Sequence, residues 1–176
     1  MFKKSLLATV GVLLCSSFAK TLAPGLRVGW CAPGRYLERV RRLKLAHTLG
    51  TPVVLQQTVA EFLRHGGYDH HLRSLRRACH HQLQLFAPAI LRHFPAGTRI
   101  SRPEGGFVLW VEMPAGVDAL RLHRDALKQR IATAPGPLFS AKDRYRNCLR
   151  VNGGLPWDDA IESALGTLGE LAGRQL

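Results

Sequence analysis

Between residues 72 and 94 the apolar residues Leu72, Leu75, Cys79, Leu83, Phe86, Ile90 and Phe94 step by three or four without a break. A stripe of that period and length specifies one long amphipathic α-helix, bent near Pro88, and the rest of the chain has to be arranged before and after it. Asp69 stands where it can cap the start. Upstream, residues 36–46 carry Leu37, Val40 and Leu43 among basic residues at helical spacing, after a turn over residues 31–34. Thr51-Pro52 then opens another helix, whose apolar face (Val54, Leu55, Val59, Phe62, Leu63) stops at Gly66-Gly67. Downstream the period changes. Residues 98–101 read as a short strand, 103–106 as a turn, and 107–112 as a strand ended by Met113-Pro114. Asp118 is an N-cap for a helix over residues 119–130, residues 131–134 and 148–152 are further strands, and residues 157–171 form a closing helix. That order describes a layer of sheet covered by helices, an α+β arrangement. No internal repeat or low-complexity linker interrupts it.

Composition bounds the partners. With 176 residues, 46% hydrophobic and 21% charged, the chain can build one domain with a real core, or one and a piece of another. The formal net charge of +13 would attract nucleic acid, anionic lipid or anionic small molecules. Its arginines are scattered over helical stretches without the aromatic interleaving of single-strand binders, so a solvated basic surface is expected and no nucleic-acid contact. Cys15, Cys31, Cys79 and Cys148 form no CxxC pair and read as buried thiols in a reducing compartment. The pairs His70-His71 and His80-His81 do not chelate, since neighbours on a helix point about 100° apart, and no metal site is expected.

The chemistry-bearing stretch is residues 17–30, Ser-Phe-Ala-Lys-Thr-Leu-Ala-Pro-Gly-Leu-Arg-Val-Gly-Trp. The apolar run over residues 10–14 fits a buried strand that delivers Lys20 to the edge of a sheet. Pro24 and Gly25 turn the chain, and Arg27 returns on a second apolar segment, residues 26–32. A hydroxyl, an amine and a guanidinium thus converge. Together they suit an aldehyde that carries a phosphate: the amine forms a Schiff base, while Arg and Ser hold phosphate oxygens.

This stretch closely resembles the lysine segment of class I/II aminotransferases that use pyridoxal 5′-phosphate (PLP), above all the aminotransferase-like half of MocR-type regulators in the GntR superfamily. The resemblance runs from about residue 10 to the C-terminus. Residues 102–111, Arg-Pro-Glu-Gly-Gly-Phe-Val-Leu-Trp-Val, look like the glycine-turned strand of the family's small domain. Residues 134–140 look like its later loop, and residues 146–152 like the strand presenting the arginine for the substrate carboxylate. The resemblance implies that Lys20 is the Schiff-base lysine, that Ser17, Lys20 and Arg27 bind PLP, and that Arg150 holds the substrate carboxylate. It also implies an α/β chain forming the C-terminal part of the PLP-dependent transferase fold. Residues 1–67 would be a remnant of the large PLP-binding domain, 68–96 a long interdomain helix, and 97–176 a small domain of sheet covered by helices. Amino acid and 2-oxo acid are the implied substrates, and the complete protein would be a homodimer.

The sequence departs from the family it resembles at Ala19, where the family often has Ser, and at Gly154 and Leu155 after Gly153, where the family often has an aromatic and a His. The ring-stacking and nitrogen-pairing residues of the large domain, and a winged helix-turn-helix, are not found in it. The expectation is therefore a truncated portion that reacts with PLP at Lys20 but transaminates slowly. Two rival readings are a PLP-binding effector domain of a MocR-type regulator and a secreted basic binding protein. The last arises because residues 1–19 have the charged start, apolar core and small-residue end of a secretory signal. Cleavage after Ala19 would remove Ser17, and the run is too short to span a bilayer, so a cytoplasmic chain is expected. Residues 98–171 are expected to be the independently stable part.

Overall fold

A computed structural model describes residues 11–142 and 144–176. Residues 1–10, the first part of the leader reading over residues 1–19 and including the first residue of the apolar run, lie outside the described residues. The described chain divides into two compact units between Leu75 and Arg76.

The first unit starts with an antiparallel hairpin, β1 (Leu14–Ser17) and β2 (Gly29–Ala32). The strand expected over residues 10–14 begins instead at Leu14, and it is largely exposed rather than buried. Among the described residues it pairs with β2 alone, and both strands of the ribbon are largely exposed. Residues 31 and 32, expected in a turn, complete β2, and the turn follows as a short 3-10 helix over Gly34–Tyr36. Helix α1 (Leu37–Thr48) has Glu38 in its first turn, where a carboxylate complements the helix dipole, and ends at Leu49 with a left-handed φ of 53°. Helix α2 (Val53–Arg64) buries Val59 on its apolar face. Gly66, at φ 71°, then breaks the helical path, and α3 (Gly67–His93) starts at once. Asp69 therefore lies inside the first turn of α3 rather than capping it. The stripe is realised from Leu72 to Ile90 on a helix that continues through Pro88, and Phe94 is buried just past its end.

The second unit holds most of the core. Its sheet has the order β3 (Arg99–Ile100), β4 (Val108–Glu112), β6 (Cys148–Asn152), β5 (Ala134–Pro135), antiparallel throughout. Leu109 and Val111 alternate into the core from β4, and Cys148 and Leu149 are buried on β6. Three helices cover the sheet. Ala119, Leu122 and Ala126 of α4 (Ala119–Lys128) are completely buried, and α5 (Asp159–Gly173) buries Leu165, Leu168 and Ala172. Helix α3 adds Leu83, Phe86, Ala89 and Ile90 to the same cluster. The expected stable part, residues 98–171, thus omits one wall of its own core. Asp118 caps α4 as expected, accepting from the Leu120 and Arg121 N–H groups at 2.8 and 2.9 Å.

The strand expected over residues 131–134 shrinks to β5, for a local reason. The Ile131 N–H donates to the Ala126 carbonyl at 2.9 Å, while Arg130 takes a φ of 61°, so residues 130–131 close the end of α4. Close crossing marks the other end of the unit: a Cβ on Gly169 of α5 would lie 2.1 Å from the His93 carbonyl oxygen. Beside it, the Glu162 carboxylate accepts from His93 Nε2 at 2.6 Å and from Arg92.

Candidate functional site

The hairpin of the first unit gathers three of the four expected site residues. Its register sets Ser17 opposite Gly29 and Cys15 opposite Cys31. A Cβ on residue 29 would lie 2.8 Å from the Ser16 carbonyl oxygen, so the strands close this tightly only with glycine there. Past the strands, the Phe18 N–H donates to the Val28 carbonyl at 3.0 Å, and the Thr21 and Leu22 N–H groups donate to the Phe18 carbonyl at 3.2 and 2.8 Å. This turn exposes Lys20. Ser17 Oγ accepts from the Ala19 N–H at 3.1 Å and reaches the Val28 carbonyl at 3.5 Å, which puts it beside the residue that follows Arg27.

Two features single this turn out from an ordinary connection. Arg27 ends the short 3-10 helix Pro24–Leu26 in the left-handed region, φ 50° and ψ 30°, a conformation that costs an arginine of order 1 kcal/mol. Thr21 Oγ1 is buried and has no hydrogen-bond partner. A strained residue and an unsatisfied buried polar atom thus stand one on each side of the loop. The floor beneath it is aromatic. His71 Nε2 of α3 donates to the Thr21 carbonyl at 2.9 Å, Phe18 meets Tyr68 edge-on at 6.1 Å, and Phe62 packs edge-on against both Tyr68 and His71.

Arg150 belongs to the second unit. On β6 it is opposite Trp110 of β4 and Ala134 of β5, the middle of three strands. Its neighbour Leu149 is buried, and Arg150 itself is exposed. Its guanidinium carbon lies 4.7 Å from the Phe139 ring centre. Phe139 and Tyr145 both stand edge-on to Trp110, at 5.7 and 5.2 Å. Tyr145 is held there by a left-handed φ of 63° and by Gly136, where any Cβ would collide with the Tyr145 carbonyl oxygen at 2.2 Å. Arg150, Asn152, Thr133, Leu155 and Leu165 line a cleft of about 390 Å³.

Sequence reasoning missed this ring wall, because Trp110 and Arg150 are forty residues apart and become neighbours only through the strand register. It also misread the cysteines. Cys148 is buried, and its thiol pKa is raised by burial and by the Glu112 carboxylate. Cys15 and Cys31 are exposed, with Cys15 Sγ donating to Cys31 Sγ at 3.4 Å. Among the described residues, no cluster of His, Cys, Asp or Glu could hold a metal ion, and no helix is long and apolar enough to cross a membrane.

The sequence profile of aminotransferase class I and II matches residues 4–163. YjiR of Escherichia coli, described as an uncharacterized HTH-type transcriptional regulator, is 42% identical over 165 residues, 94% of this chain and 35% of that protein. The 2-aminoadipate transaminase of Thermus thermophilus is 36% identical over 143 residues, 81% of this chain and 36% of that enzyme. Among solved structures, α-aminoadipate aminotransferase LysN from Thermus thermophilus, complexed with N-(5′-phosphopyridoxyl)-L-leucine, superposes with a TM-score of 0.85 at 32% identity. It covers 94% of this chain and 42% of its own. Kynurenine aminotransferase of Pyrococcus horikoshii gives 0.86 at 27% identity, covering 96% and 42%. The described fold is thus a partial PLP-dependent transferase fold, spanning little more than a third of the curated relatives' length. By its profile match and by its relatives, the chain belongs to the aminotransferase class I and II family.

Proposed function

We propose that this chain is the lysine-bearing portion of a PLP-dependent aminotransferase, acting on an amino acid and a 2-oxo acid. Residues 1–67 are the remnant of the cofactor-binding domain, 68–96 the interdomain helix, and 97–176 the small domain. The observation that supports it most is the hairpin, whose closure sets Ser17 beside Val28, next to Arg27, with Lys20 in the turn between. The strain at Arg27 and the unpartnered Thr21 Oγ1 fit a loop made to hold an anionic group.

PLP supplies, when bound, the electron sink for breaking a bond at an amino-acid Cα. The chain's own residues do the holding. Lys20 would hold the cofactor through its side-chain amine, and it would be the base that moves the proton at the substrate Cα. Ser17 and Arg27 hold phosphate oxygens. Arg150 receives the substrate carboxylate: stacking on Phe139 occupies the face of the guanidinium, while the N–H edge that grips a carboxylate through two parallel bonds stays available.

The test is to incubate the full chain with PLP, reduce with borohydride and map the modified lysine by mass spectrometry. Label concentrated on Lys20, lost in Lys20→Ala and reduced about tenfold in Arg27→Ala, is expected. Label spread over many lysines overturns the assignment. The regulators among the relatives favour a second reading, a PLP-binding effector domain. An assay of amino-group transfer to 2-oxoglutarate bears on the two: transfer lost with Lys20→Ala favours the enzyme, whereas capture at Lys20 without transfer is the result expected of either reading, because the ring-stacking and nitrogen-pairing residues of the large domain are not found in this sequence.

A further inference from the structure

We propose that Cys15 and Cys31 are a redox-active pair that a hydroperoxide converts to a cross-strand disulfide, fastening the hairpin that carries Ser17, Lys20 and Arg27. The two residues are direct partners in the β1–β2 register. Opposed residues of an antiparallel pair have Cα atoms about 4.5–5.5 Å apart, inside the span a disulfide bridges. Here the sulfurs are already 3.4 Å apart. Only a small side-chain rotation separates that contact from a bond. Both thiols are exposed, so an oxidant reaches them, whereas Cys148 is buried in the second unit.

The reaction balances without a cofactor. Cys15, as thiolate, attacks one oxygen of the hydroperoxide, the O–O bond breaks, and the other oxygen leaves as an alcohol, or as water from hydrogen peroxide. Cys15 is then a sulfenic acid. The Cys31 sulfur attacks it, the S–S bond forms, and the sulfenic hydroxyl leaves as water with the Cys31 proton. Two electrons pass from the thiols to the peroxide. Contact with Cys15, ahead of burial, holds the Cys31 thiol above its ordinary pKa, which suits the partner that keeps its proton until the second step. The same pair is the place where fastening matters most. Between β1 and β2 the chain makes the turn with Lys20 and the strained Arg27, and a two-stranded ribbon is by itself only marginally stable. A bond at the middle of the ladder keeps Ser17 in register with Gly29 whatever happens at the tip.

The inference stands apart from the cofactor reading, since its readout needs no PLP. The full chain, reduced and desalted, is treated with one equivalent of hydrogen peroxide, blocked with N-ethylmaleimide and digested. The expected result is two of the four thiols lost, a linked peptide joining Cys15 to Cys31, and full recovery with dithiothreitol. In Cys31→Ser, Cys15 should instead be trapped as a sulfenic acid by dimedone. Amide exchange of residues 29–32 in the oxidised chain should slow about tenfold relative to the reduced chain. Full alkylation of both cysteines after peroxide, or linkage of either one to Cys79, to Cys148 or to another chain, overturns the proposal.

Discussion

A single methyl group is enough to test how tightly the second unit is assembled. In Gly169→Ala the added carbon would sit 2.1 Å from the His93 carbonyl oxygen, a backbone atom that cannot swing aside, so α5 must move away from the end of α3. A loss on the order of 3 kcal/mol is expected, read as a lower urea midpoint with little change in slope. Near this contact, hydrogen bonds from His93 and then Arg92 hold the Glu162 carboxyl below the usual carboxylate range. A depressed carboxylate stabilises the fold above its unfolded pKa, and that contribution is lost as pH falls through the folded value. Glu162→Gln should therefore lower Tm at neutral pH, with the two proteins converging in acid; an offset that stays constant down to low pH would rule out charge as the cause. At this scale the grouping of Ser17, Lys20 and Arg27 on one hairpin was legible in the sequence, because the turn residues between them lie in one stretch. The sequence could not show the contact of Cys15 with Cys31, since no spacing rule specifies which residues a hairpin sets face to face until its register is known.

Among the elements, those announced by a period or a cap were the legible ones. The stripe of α3, the capped start of α4 and the whole of β6 stand where the pattern puts them. Segments whose ends depend on a single backbone bond did not. Residues 131–133 look like a strand by composition, yet the Ile131 N–H is already given to the helix behind it. The strand β1 slid toward Ser17 because its pairing with Gly29, rather than its own hydrophobicity, decides which residues are extended. The cap of α4 offers a direct check. Asp118→Ala leaves two N–H groups at the helix start without their acceptor and should cost about 1 kcal/mol in thermal or urea unfolding, while Asp118→Asn keeps an acceptor and should recover most of it. Equal losses in the two variants would assign the effect to the charge instead, through the Arg146 guanidinium 3.9 Å away.

Across the whole molecule, burial is unevenly shared. The core cluster lies entirely between Leu83 and Ala172, whereas the first unit buries Val28 and Val59 and leaves Leu43, Leu45, Leu49, Val53 and Val54 exposed. Limited proteolysis should therefore cut first within residues 35–66 and leave a fragment that begins in α3 and retains Trp110 and Trp157; early cutting within residues 107–157 would contradict this. The same unevenness gives each region its own built-in optical reporter. Trp30 lies in the hairpin opposite Ser16 and is 46% exposed, Trp110 sits between Phe139 and Tyr145 beside Arg150, and Trp157 packs edge-on against Phe86 at 5.0 Å. Water around an indole shifts its emission to longer wavelength, so the red component belongs to the lysine hairpin and the blue component to the core. A chain reduced to Trp30 alone, by Trp110→Phe and Trp157→Phe, would report events at the hairpin by colour, with no dye attached and no turnover required.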